Sequence, residues 1–523
     1  MHKILNRHSK VLDIIKTISI YLLTVSMLVI AGRYINVRQN AGQRIEIPPE
    51  KRIIFGLGGS FFPEINARHL HPVQITVTRD GESMSAVYND SLIARVYDDD
   101  TIKFALLMLF SMTTERTVLD NLSGEQLWQA AIASENSIYI RYAGDYIHPL
   151  IHAFLSDNFD VTHTGGTIVT LRELFIVDKA PIFGITRDSQ GNIAVFRPSS
   201  ETLGREDMSA RINASFQVAY NNIVGGIPCR FLNSDVISGE LGANSNNIQY
   251  LRFCPSIHLF DHALYLPAVL IENPLLDDNG GISLQNDYIR ELFRLLGFHH
   301  ERAYTTVTSG LITYRDGSQS VSFSSRGQII YRNTEGLHLA RFLGADSEYF
   351  TLFEKVRAAS AFANALSSEL MGGSESSLHL TDIFFENGEL FVKFEYYHAG
   401  TRVRINDTEG AMTLRINQSG IIESVINTIQ LTSMSMKRSV NPILILSEAD
   451  RLISKYIAEY ADDNDDLDDL PPEIAEALSS ALNLRRGTSQ GIYDNFLVNR
   501  IELMYTIDLQ SDFNEFSPMW IIK

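Results

Sequence analysis

The chain has 523 residues, with 44 Lys and Arg against 62 Asp and Glu, for a net charge of −18. Seven of the basic residues and one acidic residue lie in the first 44 positions, so the remainder carries 37 basic against 61 acidic residues, a net of −24. A body that acidic repels a phosphate backbone and argues against a nucleic-acid partner, and 45% apolar residues excludes wholesale disorder. At about 150 residues per domain the length allows three or four domains. Two cysteines, Cys229 and Cys254, are too few for a structural zinc site or a disulfide framework. A bond between them and two separate buried thiols both remain open.

Only one stretch is apolar enough to cross a bilayer, Thr17–Gly32, which excludes a multi-span transporter. Ile14 and Ile15 extend it to about 18–19 residues, the short end of a spanning helix. Lys3, Arg7, Lys10 and Lys16 precede it against a single Asp13, and the more widely spaced Arg33, Arg38 and Arg44 follow. This bias places residues 1–16 in the cytoplasm and the bulk of the chain outside. Val29-Ile30-Ala31 is a poor cleavage site, so the segment reads as an uncleaved anchor over 17–32. Within it Thr17, Thr24 and Ala31 recur with a period of seven, with Tyr21 near the same face. That spacing suits packing against a partner helix, with hydroxyls bonding across the interface. Residues 33–49 read as a polar stalk.

Beyond the stalk, strand and helix patterns alternate, predicting an α+β protein with several extracytoplasmic domains: 50–165, 166–372 and 373–523. In the first, strands are expected at Gln74–Arg79 and Ile93–Tyr97, helices at Ile102–Met112 and Ser123–Ser134, a strand at Ser137–Tyr142 and a helix at Asp145–Leu155. In the second, strands Thr167–Phe175, Ile182–Thr186 and Ile193–Phe196 precede a helix at Ala210–Val224. A Gly/Asn/Ser-rich loop, Gly225–Asn247, is expected to hold Cys229. Strand Leu264–Ile271, helix Asp287–Leu296 and a hairpin region at Thr305–Asn333 follow, the last turning at Asp316-Gly317 and Arg326-Gly327. A long helical segment, Gly336–Met371, is expected to break near Gly344. In the third, Asn387-Gly388 joins Ile383–Phe385 to Glu389–Tyr397, and Thr401–Ile405, Met412–Ile416 and Ile421–Ile429 continue the sheet. An amphipathic helix at Ser447–Tyr460 and a strand at Arg500–Asp508 complete it. The two C-terminal blocks thus read as two curved antiparallel sheets, each with a packed helix.

The motifs that could carry chemistry are weak. Gly487-Thr-Ser489-Gln-Gly491 matches the pattern of a hydrolase elbow, but no histidine follows His398 to serve as base. His148/His152 and His258/His262 have the spacing of two ligands on one helix face, yet Pro149 and Leu259 stand where a zincin needs glutamate. His299-His300-Glu301 adds donors whose side chains diverge. The run Asp462–Glu473 offers oxygens at calcium-loop positions but has Leu467 where the turn glycine belongs. Gly56-Leu-Gly58-Gly-Ser-Phe61 lacks the third glycine of a dinucleotide fingerprint. No catalytic residue, metal ligand or cofactor is assigned.

Three features together carry a resemblance. One is the hairpin Thr313-Tyr314-Arg315-Asp316-Gly317 with Gly327-Gln-Ile329-Ile-Tyr331-Arg-Asn333 and its following helix. The second is Phe394–Gly400 before paired strands. The third is the close Ile501-Glu-Leu-Met-Tyr505 with Pro518-Met-Trp520. With the single anchor, residues 260–523 resemble the YycH family, whose ending is shared by its relative YycI. The resemblance implies a regulator without chemistry of its own. Its partners would be a sensor histidine kinase of the YycG/WalK type in Gram-positive cell-wall control, together with a YycI-like protein and the membrane. Rival readings are an extracytoplasmic metal-dependent hydrolase using His258, His262 or His299, and a wall-associated binding module.

Overall fold

The computed structural model describes residues 67–110, 113–115, 124–156, 168–179, 182–197, 205–231, 258–260, 264–273, 275, 282, 287–308, 310–325, 327–343, 350–370, 376–405, 410–440, 501–507 and 515–522. All belong to one compact unit, Ser60–Lys523. The expected span and stalk, the helix Ser447–Tyr460, the acidic run and the Gly487–Gly491 turn lie outside these residues. Among the described residues no helix is long and apolar enough to cross a membrane. The protein is α+β, with more sheet than helix.

A 3-10 turn, Ala67–Leu70, opens the described chain. β1 (Gln74–Arg79), β2 (Glu82–Val87), α1 (Asp90–Tyr97), α2 (Asp100–Phe110), β3 (Thr113–Glu115), α3 (Gly124–Ile132), β4 (Ser137–Ile147), α4 (His148–Ser156), β5 (Thr170–Lys179), β6 (Ile182–Arg187), β7 (Ile193–Arg197), α5 (Arg205–Asn222), β8 (Ile227–Phe231) and β9 (His258–Phe260) follow. Their strands form one antiparallel sheet of nine in the order β3-β7-β6-β5-β4-β1-β2-β8-β9. The β1–β2 turn is the expected Asp80-Gly81, with both residues at positive φ, the mirror-type turn whose twist matches the strands. Helices cover both faces. On one, Leu127, Trp128 and Ala131 of α3 pack on Tyr139, Phe175, Ile185 and Val195. On the other, Leu109 of α2 lies so close to Gly184 that any side chain there would collide with it. Burial on both sides explains why β4 reads as apolar on both alternations, with Ile138 through Ile140 wholly enclosed.

Three expectations change in this half. Ile93–Tyr97 is helical, the end of α1, because Asn89 accepts a hydrogen bond from the Leu92 amide and starts a helix whose buried residues are Leu92, Ile93, Val96 and Tyr97. That i, i+1, i+4, i+5 spacing is helical, but the five-residue window hid it. Asp145–Ile147 continue β4, so α4 begins only at His148. Cys229 lies in β8 and is buried, paired in register with Ser83 and Phe260; Cys254 lies outside the described residues.

The second half runs β10 (Leu264–Glu272), α6 (Asp287–Leu296), a 3-10 turn (His300–Arg302), β11 (Tyr304–Thr308), β12 (Leu311–Asp316), β13 (Gln319–Ser324), β14 (Gln328–Leu337), α7 (Ala340–Leu343), α8 (Leu352–Leu370), β15 (Ser376–Glu386), β16 (Glu389–His398), β17 (Thr401–Ile405), β18 (Met412–Ile416), β19 (Ile421–Asn427), β20 (Gln430–Val440), β21 (Ile501–Ile507), β22 (Glu515–Phe516) and β23 (Pro518–Ile522). Here the expected pair of sheets is one. β11-β12-β13-β14-β19-β18-β16-β17-β21-β23 are hydrogen-bonded in that order, with β15 on β16, and β10, β20 and β22 form a separate sheet of three. The join is the β14–β19 ladder, which pairs Ile330 with Val425. One pairing is parallel, β17 with β21. The expected divisions at 165/166 and 372/373 therefore cut across the nine-stranded and eleven-stranded sheets.

Local chemistry sets the connections. Asn387-Gly388 and Ala399-Gly400 are two-residue turns with both φ values positive. Between β12 and β13 the turn is Gly317-Ser318, one residue later than expected, since Asp316 pairs with Gln319. α6 buries Ile289, Leu292, Phe293 and Leu296, and Phe293 meets Tyr314 and Phe323 of the sheet edge-on. Gly336 and Leu337 belong to β14, so the expected helix starts later. α8 opens on a capping box: Thr351 Oγ1 accepts from the Glu354 amide at 3.2 Å, and Glu354 Oε2 accepts from the Thr351 amide at 2.7 Å. Thr351→Ala should cost about 1 kcal/mol, read as a lower urea midpoint at unchanged slope; an unchanged midpoint would show that the cap is idle. β11 ends the large sheet with an open edge, all five of its residues exposed, Tyr304 by 83% and Val307 by 70%.

Candidate functional site

A group of titratable side chains lies where β15 of the large sheet meets β4, α1 and the Ala67–Leu70 turn. β15 pairs with β16 on one edge only. On alternate residues of its other edge, the carbonyls of Leu378 and Leu380 accept hydrogen bonds from side chains: His69 Nδ1 at 2.6 Å, and the Tyr146 hydroxyl. A row of open carbonyls would invite another strand; here an imidazole and a phenol close it. The backbones come equally close, since a Cβ on Gly144 of β4 would overlap the Thr381 carbonyl oxygen. Thr381 is the residue at the β15 register shift, between Leu380 and Asp382. Val73 and Ala143 pack on Tyr397 to seal the junction.

His379, one residue from the first capped carbonyl, is buried, its ring centroid 4.5 Å from that of Tyr397 and its Nε2 3.2 Å from Ser377 Oγ. Burial, with His69 and His71 adding repulsion, pushes it down to about 3. Burial also lowers His69. His71 sits at the rim, 3.4 Å from Asp98, which also binds Lys103 at 3.2 Å. The His71 hydrogen bond leads the effects that draw Asp98 down to about 2. Ser377 Oγ donates to Asp90 at 3.3 Å. Tyr97 and Tyr142, hydroxyls 3.2 Å apart, and Tyr146 are all raised by burial and stay neutral phenols.

His398 makes a second bridge. Its Nδ1 lies 2.9 Å from Ser376 Oγ on β15 and its Nε2 2.9 Å from Ser433 Oγ on β20, so it ties the large sheet to the sheet of three. Those distances are those of a nucleophile and its base. The ring has no exposed surface, however, and packs edge-on against Tyr505, so it acts as a cross-link. Tyr505 itself donates to the Pro267 carbonyl of β10 at 2.7 Å.

The residues singled out from the sequence are elsewhere. Thr17, Tyr21, Thr24 and Ala31 lie outside the described residues, as does His262. His258 is in β9, opposite Phe231. His299, His300 and Glu301 are exposed ahead of β11, with His300 stacked on Phe293. His148 and His152 do share α4, but His148 Nδ1 accepts the Val169 amide at 3.3 Å and its ring lies against Phe110 and Phe196. Among the described residues no group of three His, Cys, Asp or Glu side chains gathers as a metal site would. Sequence spacing had no means of finding the junction, because His69 and Leu378 are 309 positions apart. No family model, no curated protein and no solved structure matches the chain.

Proposed function

We propose that this chain is a non-enzymatic, membrane-anchored regulator of a two-component sensor histidine kinase of the YycG/WalK type, acting with a YycI-like protein in cell-wall control. The observation that carries the reading is one chain joining a single basic-flanked apolar stretch, Thr17–Gly32, to the Thr313–Asn333 and Ile501–Trp520 patterns of the YycH family. Its N-terminus is cytoplasmic and its bulk extracytoplasmic. Thr17, Tyr21, Thr24 and Ala31 contact a span of the kinase, and the outer body makes further contacts through exposed surface such as β11. Such a helix shifts a two-state kinase only by binding one state better than the other.

Two measurements test this. A reporter fused after Lys523 should be active only outside the cytoplasm; cytoplasmic activity overturns the topology and the function with it. Interhelical hydroxyl contacts are worth about 0.6 kcal/mol each, up to about 2. Thr17→Leu with Thr24→Leu should therefore reduce co-purification of the kinase several-fold, with normal insertion and expression. Val29→Leu, away from the stripe, is the control. Equal capture by both variants would leave recognition to the outer body alone.

A further inference from the structure

We propose that His69 and His379 make the junction between the nine-stranded and eleven-stranded sheets an acid-operated latch, in which protonation of the two buried rings parts β15 from the Ala67–Leu70 turn and β4. This holds whatever partner the protein serves. The geometry supplies both halves of the device. The closed form favours neutral imidazoles, because each ring is enclosed and the charged groups that act on it are other imidazoles, not carboxylates. The open form gains the hydration that a charged ring needs.

The groups facing the two rings do not outweigh their burial. From the segment after the 3-10 turn comes His71, which is taken up by Asp98, itself shared with Lys103. From α1, Asp90 accepts from Ser377, whose Oγ also lies 3.2 Å from His379 Nε2, so a hydroxyl stands between that carboxylate and the ring. From α8, Asn364 and the Ser360 backbone hydrogen-bond His69 and favour the charged ring, but burial outweighs them. From β4, Tyr146 is committed to Leu380, and Arg172 of β5 acts on it. Asp145, also of β4, binds Ser189. Within the large sheet, Asp382 is on β15 beyond the register shift, and Glu395, the register partner of His379, is held by Arg402 through both carboxylate oxygens. Asp90, Asp98, Asp145 and Glu395 are thus each engaged by another group.

The sign follows from where the proton binds. His379 takes a proton near pH 3 in the closed form and near 6.5 when released to solvent. Between those values the open form binds more protons, so closure is full above about pH 6.5 and weakens as pH falls. At pH 5 His379 alone should raise the opening constant about 30-fold over neutral pH, and His69 acts in the same direction.

Amide hydrogen exchange on the full-length chain tests this through protection factors, which remove the intrinsic pH dependence. Peptides covering 376–386 should lose about 30-fold protection between pH 7.5 and 5. Peptides covering 319–337, remote in the same sheet, should change by less than about 3-fold. His69→Gln with His379→Gln should flatten the response of 376–386. Equal losses in the two regions, or an undiminished loss in the double variant, overturn the latch. Should the double variant not fold, the wild-type comparison decides, together with His379→Gln alone, which must shrink the loss.

Discussion

Trp128→Ala should lower the stability of the protein by about 4 kcal/mol, near the top of the range for single core truncations. Trp128 is 1% exposed and meets Phe175 edge-on at 5.0 Å between centroids. It is the largest side chain of the cluster that fixes α3 onto the nine-stranded sheet, beside Tyr139, Ile185 and Val195. Removing the indole leaves a cavity lined by rings on strands, which cannot collapse without bending the sheet. It also uncovers Arg187, whose guanidinium lies over the indole at 5.6 Å and is buried, so a charged group loses its cover in the same step. Urea unfolding followed by circular dichroism measures the effect. A loss below about 1 kcal/mol would mean that α3 is not seated as described.

Gly144→Ala should cost about 3 kcal/mol, although it adds one methyl group. The cost comes from what the methyl would meet. The obstacle is the Thr381 carbonyl of β15, a backbone atom that cannot rotate aside like a side chain. Relief requires β15 to move off β4, which stretches the His69–Leu378 and Tyr146–Leu380 hydrogen bonds together. Gly81→Asn is the matched control: its Cβ meets nothing within 4 Å, and asparagine tolerates the positive φ of that turn. If the two variants unfold at the same urea concentration, the backbones at the junction are not in contact and the latch loses its geometric basis.

The junction also bears on the proposed regulator. A protein that biases a kinase needs an element with two arrangements. β15 is suited to that part: it has one strand partner, and its other edge is closed by side chains from the Ala67–Leu70 turn and β4. The prediction for the proposed partner-helix stripe and the prediction for the latch can fail separately, one by kinase capture and one by hydrogen exchange.

What the sequence determined by itself was local. Gln74–Arg79, Thr401–Ile405, Met412–Ile416 and Asp287–Leu296 are where periodicity puts them. Asp80-Gly81 and Asn387-Gly388 turn because few other pairs accept two positive φ values in succession. Each of these signals is complete within a dozen residues. Tertiary structure decided which strands share a sheet. β14 pairs with β19 across 91 positions, Arg332 to Glu423, and so merges two blocks that each read as a finished sheet. Strands carry no mark of a distant partner: an alternating pattern specifies a buried face but not the neighbour beside it. α1 is not legible in the sequence because Asn89 acts as a cap only once the preceding strand has ended. The histidine junction was out of reach for the same reason. His69 and His379 are unremarkable in their own segments, and the energy that sets their behaviour, exclusion from water, exists only after two sheets have closed over them.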